Sequence, residues 1–416
     1  MATQNTQFPE RDRDTVLYAA FNGLRNDVSP ERFELGDLAT ADNINIDKTG
    51  RIERRGGYTQ RVAGAAHSLW ADELQDVCLY VTSSGLRRMA ADLTASTVAS
   101  LFDTASPMSY TRVSDRVYFG NGRDKGIFEA GAVRAWGMPV APLPAALAAV
   151  GMMPVGTYQY AMTWMRVDGQ ESGCGVAGRI DLAAGGGIAF TTPAAPLGDI
   201  VGANLYVSPA NSDVLLYATT LTPGASVTWQ TDPSELSLPL ATQHLSPPPA
   251  GHLVAYYRGR MFVAVGDTIF YSEPYAYELF DLRRYLQLDG RITLLAPLME
   301  KERNVNTGDS SGFFVGTDRS MGVMAGTDPD SFQYVPKVDY GAIPGTLQHV
   351  DGSLVRDGGT GARKLPMWLS AKGVCIGLPD LLINNLTRSR YAFDAGGQGA
   401  AAVLPDPNRY IATANL

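Results

Sequence analysis

Short strand-like segments follow one another through most of this chain. Between His67 and Phe102 lie HSLWAD, VCLYVTSS, GLRRMAAD and STVASLF, which alternate apolar with polar residues or are rich in β-formers, with turn residues between them. The segments MSYTRVSD, RVYFGNG, GIFEAG and AVRAWG repeat the arrangement. A recurring four-strand unit of about 40 residues is typical of β-propeller blades. We therefore predict an all-β fold, a propeller of about five to seven blades, with few helices.

A proline-rich stretch, MPVAPLPAALAAVGMMP, interrupts this pattern after residue 138. Its alanines favour helix, but its prolines predict a linker with at most one or two helical turns. The segment GTYQYAMTWMR then places four large side chains on one face at a period of two: Tyr158, Tyr160, Met162 and Trp164. With the turn VDGQES and the strand GANLYVS, it resembles a fibronectin type III or related immunoglobulin-like sandwich.

We accordingly predict three parts. Residues 1–138 hold an N-terminal segment and the first blades, 150–245 hold the inserted sandwich, and 250–416 hold the remaining blades. SPPPAG is a stiff linker. After it, segments from HLVAYY to NLTRSRYAF restore the four-strand pattern, and NRYIATANL is predicted to be a lone terminal strand. Propellers commonly close by pairing strands from both chain ends, so the opening stretch is its expected partner.

Charge and cysteine content argue against several classes of function. The net charge is −8 and the arginines are scattered, whereas a protein that grips DNA normally has a basic stripe. An acidic wall suits DNA that passes without sticking. Cys78, Cys174 and Cys375 lie far apart, which predicts buried thiols and no disulfide framework. We also expect no membrane insertion, because no window approaches 18 uninterrupted apolar residues.

Motifs for catalysis or metal binding are weak. Asp328 and Asp330 lie in GTDPDSF, where aspartate usually caps its own turn, and no carboxylate pair stands out in an aromatic context. The histidines are isolated and predicted to be surface or strand residues: His67, His244, His252 and His349. We expect no catalytic residue, cofactor or metal ion.

The stretch NINIDKTGRIERRGGYTQR predicts a β-hairpin near the N-terminus. NINID is a strand, DKTG is a turn with Gly50 in the left-handed region, and RIERR is the return strand. Asn43, Asn45 and Asp47 alternate as in a calcium loop, but the required glycine and glutamate are missing. A solvated or interface hairpin is therefore favoured over an anion or calcium site.

This stretch also carries a family resemblance. FNGLRNDVSPERFELGDLATADNINIDKTGRIERRGGYTQR resembles the N-terminal signature of the phage stabilisation, or tail nozzle, proteins of short-tailed bacteriophages. The residues that carry it are Gly23, Leu24, Asn43, Asp47, Gly50, Arg54, Arg55, Gly57 and Tyr58. RGRMFVAVGDTIFYSEP and MWLSAKGVCIG, followed by NNLT, resemble blade motifs of the same family.

The resemblance implies a non-enzymatic virion protein, made in the host cytoplasm and placed in the tail. Such subunits form a distal ring, commonly a hexamer, that extends and closes the DNA channel. They contact the tail adaptor or tube protein, a fibre or needle protein, and passing genomic DNA without specific binding. The nine motif residues are then interface candidates. Two alternatives stay open: an adsorption protein that binds host-surface glycan, and a propeller hydrolase acting on such glycans.

Overall fold

The computed structural model describes residues 20–414, except 48, 58, 61–62, 73–75, 299–311, 327, 355–363, 388–389, 392–396 and 406–407. This part of the chain consists of many small, mostly antiparallel sheets, which confirms the all-β prediction. The helices within it are single 3-10 turns: Pro30–Arg32, Pro233–Glu235, Pro329–Ser331 and Gly352–Leu354. None of the helices described is long and apolar enough to cross a bilayer.

Two small sheets begin the described chain. One is a parallel pair, and the other is an antiparallel hairpin, here called the N-terminal hairpin. Their strands are β1 (Gly23–Leu24) with β2 (Asp37–Leu38), and β3 (Ile44–Ile46) with β4 (Ile52–Arg54).

Two four-stranded sheets follow, and each strand pairs with the next one along the chain. Sheet 1 contains β5 (Ala66–Ala71), β6 (Cys78–Thr82), β7 (Gly85–Met89) and β8 (Ala95–Ala99). Sheet 2 contains β9 (Ser109–Val113), β10 (Arg116–Gly120), β11 (Lys125–Glu129) and β12 (Ala132–Arg134). Buried side chains of both sheets form one core, including Leu79 and Val81 against Val117 and Phe119. All eight predicted strands of this region are confirmed.

The next seven strands form two sheets, here called the insertion. They are β13 (Ala145–Met153), β14 (Gly156–Arg166), β15 (Gly178–Leu182), β16 (Gly186–Thr191), β17 (Ile200–Val207), β18 (Leu216–Leu221) and β19 (Ser226–Trp229). One sheet has the order β13-β16-β19 and the other β15-β14-β17-β18. Side chains of both sheets share a core that includes Tyr158, Phe190 and Leu205. β14 confirms the strand predicted over GTYQYAMTWMR, but burial is not limited to the predicted face, because Ala161 and Thr163 on the other face are also buried.

The prediction of a linker with helical turns in Leu143–Pro154 is wrong, because Ala145–Met153 is a strand. Pairing with β16 decides the conformation, and the side chain of Ala146 packs against the shared core. The prolines lie outside the strand, so they bound it without removing a ladder hydrogen bond. The alanine-rich composition gave no strand signal. Pairing with a neighbouring strand overrides the helix propensity of such a segment.

Three more four-stranded sheets follow the insertion, again paired in chain order. Sheet 3 contains β20 (Leu253–Tyr257), β21 (Arg260–Val265), β22 (Thr268–Glu273) and β23 (Ala276–Gln287). Sheet 4 contains β24 (Ile292–Pro297), β25 (Phe313–Thr317), β26 (Met321–Ala325) and β27 (Gln333–Val338). Sheet 5 contains β28 (Gln348–Asp351), β29 (Lys364–Ser370), β30 (Gly373–Gly377) and β31 (Ile383–Asn385).

The chain ends in the C-terminal hairpin, β32 (Gly399–Pro405) with β33 (Asn408–Ala414). The prediction of a lone terminal strand is therefore wrong, because β33 has a partner in the alanine-rich segment before it. The strand predicted over NLTRSRYAF is also wrong in its described part. β31 stops at Asn385, and the amides of Arg390 and Tyr391 both donate to the Thr387 carbonyl, which makes a turn.

The first strands of sheets 2, 3 and 4 lie side by side, and the first strand of sheet 5 contacts the C-terminal hairpin. β9 contacts β20, β20 contacts β24, and β28 contacts β32. Three histidines reinforce this arrangement, since each ring nitrogen Nε2 lies within hydrogen-bond distance of a backbone carbonyl at a neighbouring sheet. The pairs are His67 with Thr104 at 2.8 Å, His252 with Ile292 at 2.7 Å and His349 with Pro297 at 2.9 Å. These histidines brace one sheet against the next, whereas His244 is exposed.

A buried ion cluster joins the insertion to sheets 2 and 3. Glu278 of β23 accepts from Arg166 of β14 at 2.7 and 2.9 Å and from Arg134 of β12 at 2.8 and 3.2 Å. The side chains of Glu278 and Arg166 are 3% and 4% exposed. Burial raises the pKa of Glu278, but the two guanidiniums outweigh it and hold that pKa below its usual value. The insertion is thus tied to the sheets on both sides of it.

Candidate interface at the chain ends

The turn of the N-terminal hairpin is closed by one carboxylate. Asp47 Oδ1 accepts from the Thr49 amide at 2.8 Å, the Thr49 hydroxyl at 2.6 Å and the Arg51 amide at 2.9 Å. The Thr49 hydroxyl bond, followed by the Arg51 amide, lowers the pKa of Asp47 below its usual range. The carboxylate therefore forms hydrogen bonds within its own turn, which agrees with the strand-and-turn prediction.

Two features of this turn require glycine at position 50. Its φ of +81° lies in the left-handed region, as predicted. A Cβ at this position would also lie 2.6 Å from the Ala20 Cβ and 2.8 Å from the Phe21 nitrogen. The Phe21 amide donates to the Gly50 carbonyl at 2.9 Å, so the segment before β1 packs directly on the turn.

Asp37 organises the parallel β1-β2 pair beside the hairpin. Its carboxylate accepts from Arg25 Nη1 at 2.8 Å, Arg390 Nη1 at 3.2 Å and the Glu34 amide at 3.1 Å, and its side chain is fully buried. The Arg25 hydrogen bond is the main reason that the pKa of Asp37 falls to about 2. The carboxylate therefore stays ionised and joins the N-terminal segment to residues near the C-terminus.

Further contacts hold the two chain ends together. The Asn26 amide donates to the Arg390 carbonyl at 2.8 Å, and Arg390 Nη1 donates to the Asn22 carbonyl at 2.9 Å. At the other side, Arg409 Nη2 of β33 lies 3.3 Å from Glu53 Oε1 of β4. Between the hairpins is an open cavity of about 360 Å³, lined by Leu24, Ala41, Ile44, Asn45, Ile46 and Arg409. The predicted pairing partner is thus close, but no ladder joins β33 to the N-terminal strands described here.

The motif residues fall into two groups. The first group shapes the backbone: Gly23 and Leu24 in β1, Asp47 and Gly50 in the turn, and Asn43, whose carbonyl accepts from the Arg55 amide at 2.9 Å. Within it, Asn43 and Asp47 are exposed. Those that face solvent are Arg54, Arg55 and Gly57, and Arg51 is exposed beside them. Tyr58 lies outside the described residues.

Sequence reasoning missed the residues that tie the β1-β2 pair to the C-terminal region. Arg25 and Asp37 lie within the quoted motif but were not singled out, and Arg390 is more than 300 positions away. The sequence signal for Asp37 was the turn-forming pair Gly36-Asp37. No sequence signal pointed to Arg390 as the long-range partner.

The described residues contain no group of three or more side chains suited to hold a metal ion. Asp328 caps the turn at Pro329–Ser331 by accepting from the Asp330 amide at 3.2 Å, which agrees with the predicted capping role. Asp330 accepts from Arg284 and from the Tyr271 hydroxyl. Cys174 and Cys375 are buried, Cys78 is half-buried, and all three are free thiols.

Comparisons with known proteins leave the family open. No family model and no curated protein matches the chain. A crystal structure of BBS1N in complex with ARL6DN is 11% identical and has a TM-score of 0.31, over 83% of this chain and 88% of that one. Dipeptidyl peptidase 4 from Porphyromonas gingivalis is 9% identical with a TM-score of 0.23, over 80% of this chain and 47% of that one. These scores are too low to support an inference about fold or function.

Proposed function

We propose that this chain is a structural subunit of a bacteriophage tail, of the nozzle type, that assembles with copies of itself into a ring at the distal end. Sheets 1 to 5 are blades of a propeller, and the two terminal hairpins supply an incomplete further blade. The ring extends and closes the DNA channel, contacts the adaptor and a fibre or needle protein, and lets DNA pass without binding it.

The sheet arrangement supports the propeller. Five sheets each pair four strands in chain order, and the first strands of sheets 2, 3 and 4 lie side by side, as strands do around a propeller axis. The contact of β28 with β32 continues this row to the C-terminal hairpin.

The pairing inside the insertion supports an immunoglobulin-like sandwich. The order β15-β14-β17-β18 corresponds to strands C′, C, F and G of such domains, and the pair β13-β16 corresponds to B and E. β19 occupies the position next to E. A sandwich held at its base by the Glu278 cluster is suited to act as a contact arm on a virion, by analogy with other attachment modules.

The N-terminal hairpin carries the functional part of the proposal. Its turn accepts from the Phe21 amide through Gly50, and Asp37 ties the adjoining β1-β2 pair to Arg390. Arg51, Arg54 and Arg55 are exposed on the hairpin. Arginine is favoured in protein interfaces because its planar fork forms several directed hydrogen bonds. In a chain of net charge −8, a rigid arginine-bearing hairpin is a suitable contact for the acidic surface of a neighbouring subunit.

The double substitution Arg54→Ala with Arg55→Ala tests this role. We expect the variant to fold normally, because both side chains are exposed, and the yield of infectious particles to fall at least about tenfold. The matched control is Arg319→Ala with Lys337→Ala, two exposed cations of the sheet 4 region. Particle yield equal to that of the control would refute the interface role.

A further inference from the structure

We propose that the insertion pairs with a second copy of this chain through strand β13, antiparallel and in register, with Leu147 at the twofold axis. The contact would extend the β13-β16-β19 sheet of one copy into that of the other.

Strand β13 is an open and unguarded edge. Among the described strands it pairs only with β16. After Ala149 the register shifts, and the Met152 amide and the Val150 carbonyl bond Gln230, so the open part of the edge is residues 145–149. Residues 145–153, AALAAVGMM, contain no charged residue and no proline, although natural edges are normally protected by such residues. Three side chains on this strand are largely exposed: Leu147 at 72%, Val150 at 87% and Met152 at 85%. An apolar edge of this kind marks a pairing site or an aggregation hazard.

The core of the insertion is also open at this edge. Ala148 is paired with Ile188, which is fully buried, yet Ala148 itself is exposed. Its neighbour Ala146 packs against the core. A strand added beside β13 would cover Ala148 and complete that side of the sandwich.

The sequence of the edge is self-complementary, which is why the occupant is a second copy. Residues 145–149 read AALAA, a palindrome about Leu147. A twofold contact is isologous, so antiparallel pairing places Leu147 opposite Leu147 of the second copy and Ala145 opposite its Ala149. Alanine on both sides lets the two backbones approach without steric conflict, and the two leucines cover each other.

Charge favours the same choice. Two copies of a chain with net charge −8 repel each other wherever acidic surfaces meet. The sheet around the axis carries none of that charge, because Leu147 pairs with Ala189, and Ala189 pairs with Thr228. This face therefore lets two copies meet without burying an unpaired charge.

This contact stands apart from the proposed ring. A twofold contact alone makes a closed pair and cannot close a larger ring. The prediction is a dimer of the free chain, and it is tested without any virion, so its failure and the failure of the tail proposal are distinguishable.

The first test is cross-linking of full-length cysteine variants with a short thiol-reactive reagent. We expect Leu147→Cys to give a covalent dimer by itself, because opposed Cβ atoms lie about 5 Å apart. Ala149→Cys alone should not cross-link, since its two copies would be about 13 Å apart, at 3.3 Å per residue. A mixture of Ala149→Cys and Ala145→Cys chains should cross-link, because the proposed pairing places these two positions opposite each other. The wild-type chain, with its three native thiols, gives the background.

Light scattering after gel filtration is the second test. We expect wild type to dimerise and Leu147→Glu to raise the dimer dissociation constant at least about tenfold, by burying a charge at the axis. Val176→Glu, at an 89% exposed position of the insertion away from β13, should dimerise like wild type. A wild type that stays monomeric at its highest soluble concentration, or a dimer that neither Leu147 variant affects, overturns the proposal.

Discussion

Two regions of this chain use the same device in different surroundings. In each, one carboxylate binds two arginines from distant parts of the sequence: Glu278 with Arg134 and Arg166, and Asp37 with Arg25 and Arg390. The Glu278 pair with Arg166 is at most 4% exposed on either side, whereas the side chains of Arg25 and Arg390 are 16% and 36% exposed.

The difference in exposure means that the Glu278 cluster mainly stabilises the fold, whereas the Asp37 cluster mainly positions a surface segment. A buried charge that loses its partner is left unpaired in a poorly solvated site, so the Glu278 cluster stabilises the whole assembly. At the chain ends water can solvate the arginines, so Asp37 fixes the geometry of the β1-β2 pair more than it stabilises the fold. The exposed motif arginines lie on the second region, where contacts with another subunit remain accessible.

The largest effect is expected from Glu278→Ala. It would leave the buried Arg166, and Arg134, which is 24% exposed, without their shared partner and reduce the free energy of unfolding by about 3–5 kcal/mol. Urea denaturation measures this. The matched control is Asp281→Ala on the same strand, which removes the partner of Arg283, a side chain that is 64% exposed, and should cost under about 1 kcal/mol. Equal losses of unfolding free energy in the two variants would contradict the stabilising role of the Glu278 cluster.

Asp37→Asn should act locally. The amide side chain loses the charge that holds Arg25 and Arg390, so hydrogen exchange should accelerate in residues 20–57 while amides of sheets 2 to 4 keep their protection. Because the pKa of Asp37 is about 2 and lies below its unfolded value, the wild-type contact persists at neutral pH. It weakens only as pH falls below about 4 toward 2. A uniform loss of protection across all sheets would refute a local role.

The contact of His252 with the Ile292 carbonyl predicts that the free energy of unfolding depends on pH. Burial lowers the pKa of His252, and Arg291 acts in the same direction, so the folded chain holds a neutral ring that the unfolded chain protonates. Stability should therefore fall as pH drops below about 6.5. His252→Gln should reduce that slope, measured by urea denaturation between about pH 7 and 5. The exposed His244→Gln is the control, and an unchanged slope in the His252 variant would count against the brace.

The smallest effect is expected at the second contact between the chain ends. Arg409 and Glu53 are 36% and 57% exposed, so Arg409→Ala should change the free energy of unfolding by under about 1 kcal/mol. Its hydrogen-exchange pattern in residues 43–55 should match wild type if the Phe21 contact with Gly50 is enough to hold the hairpin. Release of the hairpin in this variant would show that the outer ion pair shares that role.

Local sequence signals located most strands but not their long-range partners. Alternation and turn residues identified the strands of sheets 1, 2 and 4 and the first three strands of sheet 3, and Gly50 identified the hairpin turn. The alanine-rich strands at Ala145–Met153 and Gly399–Pro405 carried no β-signal, because pairing determines their conformation. The histidine braces, the arginines around Glu278 and the Arg390 contact with Asp37 join residues 37 to 353 positions apart, which no local pattern reveals.

The most direct measurement is immunogold electron microscopy with an antibody to this chain, on virions assembled in the host that expresses it. The nozzle proposal predicts gold in a tight cluster at the distal end of the tail. A ring-averaged map of that end should show the propeller subunits around the channel. Gold confined to peripheral fibres would favour the adsorption protein, and virions without gold would contradict a structural role in the tail.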